Sequence, residues 1–140
     1  LESLDVRMER HCKNAIAIAK YLKSCDKVEW VDYPDLEDDK YNSLAKKYLP
    51  KGSCGVMAFA VKGGREKAVE FMDSLKLITI VTHVADARTC LLHPASHTHR
   101  QLTDEQLKES GVAPDLIRLS VGLESVDDLI DDLKQALEKI

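Results

Sequence analysis

Two short apolar runs, LITIVT (Leu77–Thr82) and TCLL (Thr89–Leu92), follow one another with only HVADAR between them. Both have the composition of strands, and the gap holds no helix. A regular βαβ winding places a helix after each strand, so this succession argues against one. It points instead to an α+β layer: a mostly antiparallel sheet of four or five strands with helices packed on one face.

The remaining elements fill that outline. Met8, Cys12, Ala15, Ile16, Ala19 and Leu22 recur at helical spacing, which predicts a first helix from about Leu4 to the Ser24-Cys25-Asp26 turn. KVEWVDY (Lys27–Tyr33) alternates as a strand and ends at Pro34. Tyr41, Leu44, Ala45 and Tyr48 suggest a short helix closed by Pro50 and Gly52. Ser53–Val61 reads as a buried strand, with bulky Met57, Phe59 and Val61 on one face and Val56, Ala58 and Ala60 on the other. Gly63-Gly64 turns into a helix over Arg65–Leu75, with Ala68, Met72 and Leu75 inward. Thr103 and Gln106 form a capping box for a helix that stops at Gly111. LIRLSVG (Leu116–Gly122) is a further strand. Ser125 then caps a last helix with Val126, Leu129, Ile130, Leu133, Leu137 and Ile140 on one stripe, and Asp127 and Asp128 complement its dipole.

The chain has 140 residues, enough for one domain with a real core and too few to suggest two, so residues 1–140 are read as a single domain. No apolar run approaches the ~20 residues of a membrane-spanning helix. A net charge of −4 argues against a nucleic-acid partner, because phosphate binding needs a basic face. Cys12, Cys25, Cys54 and Cys90 form no CxxC pair, which excludes a zinc ribbon. Reduced thiols and the lack of a visible signal peptide give a cytoplasmic location as the expectation. The chain starts without Met and already inside a helix, so it is expected to be an excised piece of something larger.

Three of five histidines, His93, His97 and His99, fall in LLHPASHTH. His93 and His97 are four apart, as two metal ligands on a helix would be. His93 precedes Pro94, however, which pushes it out of helical geometry, and no Cys or carboxylate pair stands nearby to complete a zinc site. No Ser or Cys sits in a nucleophile elbow, and no Gly-rich phosphate loop precedes a helix. On residue chemistry alone this is a polar loop, not a metal centre.

Alternation in LIRLSVG puts Ile117, Leu119 and Val121 on the core side and Arg118 with Ser120 on the other. Two readings are open. A planar guanidinium held in mid-strand is suited to clamp the carboxylate of an amino acid. It also fits a solvated arginine on the wet face of an antiparallel sheet.

Taken in order, LDVRMERHCKNAIAIAKYL, KVEWVDYP, YLPKGSCGVMAFAVKGG, DARTCLLHPASHTH and GVAPDLIRLSVGLES resemble the C-terminal domain of the Cys/Met-metabolism family of pyridoxal-phosphate enzymes. KKYLPKG and HVADARTCLLHPAS are most similar to O-acetylhomoserine sulfhydrylases. Methionine γ-lyases and cystathionine γ-synthases or lyases are the near alternatives, and a free-standing α+β binding module is the competing reading. The resemblance implies that Arg118 binds the substrate carboxylate. It places His83 beside the substrate, where relatives carry Ser or Asn, and Ala85 where Gly is usual. It makes Thr98 and His99 candidates for an active-site loop, with His97 in a variable slot. The Schiff-base lysine segment and the phosphate-binding portion have no match here. The resemblance therefore implies an enzyme that transfers sulfide or a thiol onto O-acetylhomoserine with pyridoxal 5'-phosphate, assembled as a homotetramer. This chain would be its last third, beginning within the helix that links it to an N-terminal cofactor-binding domain. Alone it would hold no catalytic residue and bind no cofactor.

Overall fold

In the computed structural model, which describes residues 1–140, the apolar spacing read above becomes a five-stranded sheet carrying helices on one face. The elements run α1 (Leu4–Ser24), β1 (Val28–Asp32), α2 (Asn42–Tyr48), β2 (Val56–Val61), α3 (Gly64–Asp73), β3 (Thr79–Ile80), β4 (Cys90–Leu92), a 3-10 turn (Pro94–Ser96), α4 (Asp104–Glu109), β5 (Ile117–Ser120) and α5 (Val126–Leu137). The strand order is β1-β2-β5-β4-β3. Every pair is antiparallel except β3 with β4. No helix is long and apolar enough to cross a membrane.

The core lies between the sheet and α1, α3 and α5. Ala15, Ile18, Ala19 and Leu22 of α1 meet Met57, Phe59 and Val61 of β2 and Ile117 and Leu119 of β5. From α5 come Leu129, Leu133, Ala136 and Leu137. Phe71, which the helical reading of α3 passed over, fills its inner face together with Ala68 and Met72. Its ring stands edge-on to Phe59, with centroids 5.9 Å apart. That is the favourable aromatic geometry for a pair contributing beyond area burial. In α1 the predicted stripe is rotated: Ile18, outside it, is fully buried, while Met8, Cys12 and Ile16 are half-buried.

Three local expectations need correction. LITIVT is not a six-residue strand: only Thr79 and Ile80 pair, and both are exposed at the sheet edge. The cause is Asp132, a buried carboxylate on α5. Its two oxygens accept the backbone amides of Lys76, Leu77 and Ile78, each at 2.9 Å, so those donors are taken before a strand can use them. Secondly, Ser125 holds the N-cap position of α5, but its side chain makes no capping bond. Thirdly, α3 begins at Gly64 and ends at Asp73, leaving Leu75 in the following turn. The Thr103–Gln106 capping box on α4, by contrast, closes in both directions.

Parallel neighbours need a crossover, usually helical. Here residues 81–89 form the connection from β3 to β4 as an arch without a helix, passing over the sheet face that α1, α3 and α5 leave uncovered. The arch carries the carbonyls of Thr82 and His83 over the outer face of β5.

Asp132→Ala should leave three amides without their acceptor and lower unfolding stability by at least about 3 kcal/mol. Urea unfolding measures it, and a loss below about 1 kcal/mol would mean that water replaces the carboxylate at no cost.

Candidate active-site face

Arg118 emerges from β5 opposite the core residues Ile117 and Leu119, as alternation requires. It lies across from Leu92 of β4 and Ala58 of β2. The small Ala58 leaves room for a long neighbour. The guanidinium reaches the arch, where Nη2 donates to Thr82 O (2.9 Å) and His83 O (3.3 Å). None of the chain's ion pairs includes Arg118. Its Nε is buried without a hydrogen-bond partner. The charge is thus oriented by neutral carbonyls and not neutralised by an acid.

Further groups complete this face. The Ser120 hydroxyl, two residues along the same strand face, accepts the Ala85 amide (3.0 Å). The Cys90 thiol donates to His83 O (3.2 Å), and burial raises its pKa, so it stays protonated. His83 joins Arg118 through its backbone. Its imidazole turns to Asp86 instead, with Nδ1 3.4 Å from Oδ2 and two-thirds of the side chain exposed. The amide of Arg88 on Asp86 Oδ1 (2.9 Å), with His83 adding to it, holds the Asp86 carboxyl below its usual range. A cleft of about 250 Å³ bordering the arch is lined by Thr79, Val81, His83, Asp86, Arg88 and Cys90.

Ala85 is the only residue other than glycine with positive φ, at 59°. A turn of the left-handed type is needed there for its amide to face Ser120, which gives a physical reason for glycine to be the easier residue at this position.

The histidine loop divides into different environments. His93 is fully buried: Nε2 donates to Pro114 O (2.9 Å) and Nδ1 accepts from the Ser96 hydroxyl (2.8 Å). It is a neutral pin joining the HPAS turn to the segment before β5, and burial lowers its pKa. His97 Nδ1 donates to His93 O (2.9 Å). Thr98 Oγ1 and His99 Nδ1 lie 2.9 Å apart and pair with each other, with no hydrogen bond to Arg118 or His83. No three His, Cys, Asp or Glu side chains are grouped to hold a metal ion. The structure therefore joins Arg118 to the His83 carbonyl, while Thr98 and His99 make no hydrogen bond to either. Sequence reasoning missed Cys90, Thr89 and Glu124. Alternation places Ser120 beside Arg118 on one face, and only the path of the arch gives it a partner.

Two stability effects follow. Ala85→Gly should stabilise the chain by about 1 kcal/mol, relief of the left-handed backbone outweighing glycine's added chain entropy. A lower denaturant midpoint for the variant would contradict this. For His93 the folded state resists protonation, so the unfolded chain binds more protons below the ordinary imidazole value of 6.5. Its contribution is complete above that pH and is lost as pH falls towards the depressed folded value. Unfolding curves between pH 7.5 and 5 should show the loss, and His93→Gln should flatten it.

Comparison with known proteins agrees across sequence and structure. The model of the family described as Cys/Met metabolism PLP-dependent enzyme matches residues 1–138. O-acetyl-L-homoserine sulfhydrylase of Leptospira meyeri is 46% identical over 141 residues, covering 100% of this chain and 32% of that protein. Homocysteine synthase of Schizosaccharomyces pombe is 49% identical over 138 residues, covering 99% and 32%. L-methionine gamma-lyase of Treponema denticola is 45% identical, covering 100% and 35%. A crystal structure of a Campylobacter jejuni protein assigned as an O-acetylhomoserine (thiol)-lyase, holding N'-pyridoxyl-lysine-5'-monophosphate, superposes with a TM-score of 0.91 at 40% identity. The match covers 98% of this chain and 32% of that one. The chain thus spans about a third of the length of these relatives. A family match over nearly every residue, on a fold whose outer face presents an oriented and acid-free arginine, makes this chain a member of the Cys/Met metabolism PLP-dependent enzyme family.

Proposed function

We propose that this chain is the substrate-binding C-terminal domain of an O-acetylhomoserine sulfhydrylase, and that Arg118 clamps the α-carboxylate of the amino-acid substrate. The observation that carries the reading is the guanidinium itself: half-buried, fixed by two backbone carbonyls, and paired with no acid. A planar fork held this way offers a carboxylate a charge-assisted, directional partner. The whole reaction exchanges acetate on Cγ of O-acetylhomoserine for sulfide or a thiol.

The cleft beside the arch does not by itself supply the groups that a seat for pyridoxal phosphate needs. Its lining has no lysine amine and no Phe, Tyr or Trp ring. The cofactor, which supplies the electron sink for this class of chemistry, would be held by an N-terminal domain of the same polypeptide. The exposed apolar side chains of Ile80, Val81 and Val84 on and beside the arch support such a covering partner. Arg118 would orient substrate and transfer no proton. His83, through its carbonyl, would help hold Arg118, and Thr98 and His99 would lie in the loop at the mouth of the site. We also place the whole enzyme in a homotetramer. The identity to L-methionine gamma-lyase favours elimination from methionine as the second reading.

In the full-length enzyme, Arg118→Ala should raise KM for O-acetylhomoserine about thirtyfold or more, as expected for a lost charged hydrogen-bond pair. Arg118→Lys should also raise it, because a single ammonium lacks the fork. An unchanged KM in either variant removes Arg118 from the site. Rates with O-acetylhomoserine plus sulfide, set against methionine elimination, decide between the two activities.

A further inference from the structure

The far end of the arch is fixed by a carboxylate that has no place in the site described so far. Thr89 is buried, and its hydroxyl donates to Glu124 Oε2 (2.8 Å) while accepting the Gly122 amide (2.8 Å). The other oxygen, Oε1, accepts the Thr89 amide (2.6 Å). Glu124 thereby grips both the main chain and the side chain of one residue. Beside it, the Leu123 amide donates to Ala87 O (2.9 Å). Contact this close requires Gly122. A Cβ there would stand 2.4 Å from Ala87 O and 2.4 Å from Glu124 Oε2.

The grip is anchored in turn to α1. Asn14 Nδ2 donates to the carbonyls of Gly122 and Glu124 (3.0 Å each), and His11 Nδ1 donates to Val121 O (2.6 Å). The rest of the arch has far less support. Residues 81–88 are exposed apart from the half-buried Asp86, and at the tip the Ala85 amide meets only the Ser120 hydroxyl. The carbonyls that orient Arg118 belong to this lightly held stretch.

We propose that Thr89 and Glu124 are positioning residues for Arg118: by tying the end of the arch to the turn after β5, they fix the Thr82 and His83 carbonyls that aim the guanidinium at the substrate. This rests on the reading of Arg118 as the carboxylate clamp. Neither residue touches substrate, so their loss acts on binding through Arg118. Thr89→Val keeps the shape and removes the hydroxyl, leaving Gly122 N and Glu124 Oε2 unpartnered. Thr89→Ser keeps all three bonds. Glu124→Gln leaves one acceptor oxygen for the two Thr89 donors and turns an NH2 towards the other.

The test uses the full-length enzyme and two readouts, steady-state kinetics with O-acetylhomoserine and amide hydrogen exchange across residues 82–88. Thr89→Val should raise KM about tenfold with kcat within about threefold, and speed exchange in the arch about tenfold, as loss of one buried hydrogen-bonded group implies. Thr89→Ser should stay near the parent in both. Should Thr89→Val not fold, Glu124→Gln carries the same comparison with a smaller shift. A fall in kcat at constant KM, or unaltered KM in both Thr89→Val and Glu124→Gln, overturns the proposal. Arg118→Lys in the same series separates the two readings. If it raises KM while the Thr89 and Glu124 variants do not, only the positioning role fails. If it leaves KM unchanged, the clamp fails and the positioning role with it, whatever the exchange rates show.

Discussion

The arch meets β5 and the turn after it at a few points: Arg118 on the Thr82 and His83 carbonyls, Ser120 on the Ala85 amide, and Glu124 on Thr89. The geometry of the outer face depends on them. A guanidinium on a bare sheet would sweep through many rotamers, since its long side chain carries substantial conformational freedom. Here two acceptors on one Nη2 remove much of it before any ligand arrives. The acceptors are neutral, so orientation is obtained without cancelling the charge. An aspartate in either position would hold the side chain more tightly and leave less charge for the carboxylate proposed to bind there.

The two faces of the sheet divide the work. The inner face is a conventional apolar interface in which Phe59, Phe71, Ile117 and Leu119 are fully buried. The outer face is built from hydrogen bonds to backbone groups: Ser120 to Ala85, Cys90 to His83, Thr89 to Gly122. Because β5 contributes alternately to both, one short strand couples global stability to the geometry of the site. Asp132 extends the coupling, holding the entry to β3 from the final helix.

Much of this was legible in the residues. Amphipathic spacing located α1 and α5, and the Thr103–Gln106 pattern located α4, because local periodicity and capping are written in consecutive positions. Alternation separated Arg118 from Ile117 and Leu119 for the same reason. What could not be read was long-range. Thr89 and Glu124 are thirty-five positions apart, and nothing local marks them as partners. Asp132 looks like one more acid on a solvated helix face until the turn at 76–78 is seen to fold onto it. His93 looked like one of several loop histidines, and only its burial against Pro114 shows it to be a structural pin. The chemistry of an imidazole or carboxylate says what it can bind and not which distant backbone will be delivered to it.

The bonds from His11 and Asn14 to the end of β5 bridge separations of 108 to 110 residues. A polypeptide emerging from the ribosome therefore exposes α1 long before its partners exist. β2 likewise waits for β5, its neighbour on the far side from β1. Until the last strand is released, the Ile18 and Leu22 stripe has no complete interior to enter and stays open to non-native contacts. Stalling translation before residue 124 would strand a chain that has α1 to α4 and lacks both α5 and the carboxylate that grips Thr89.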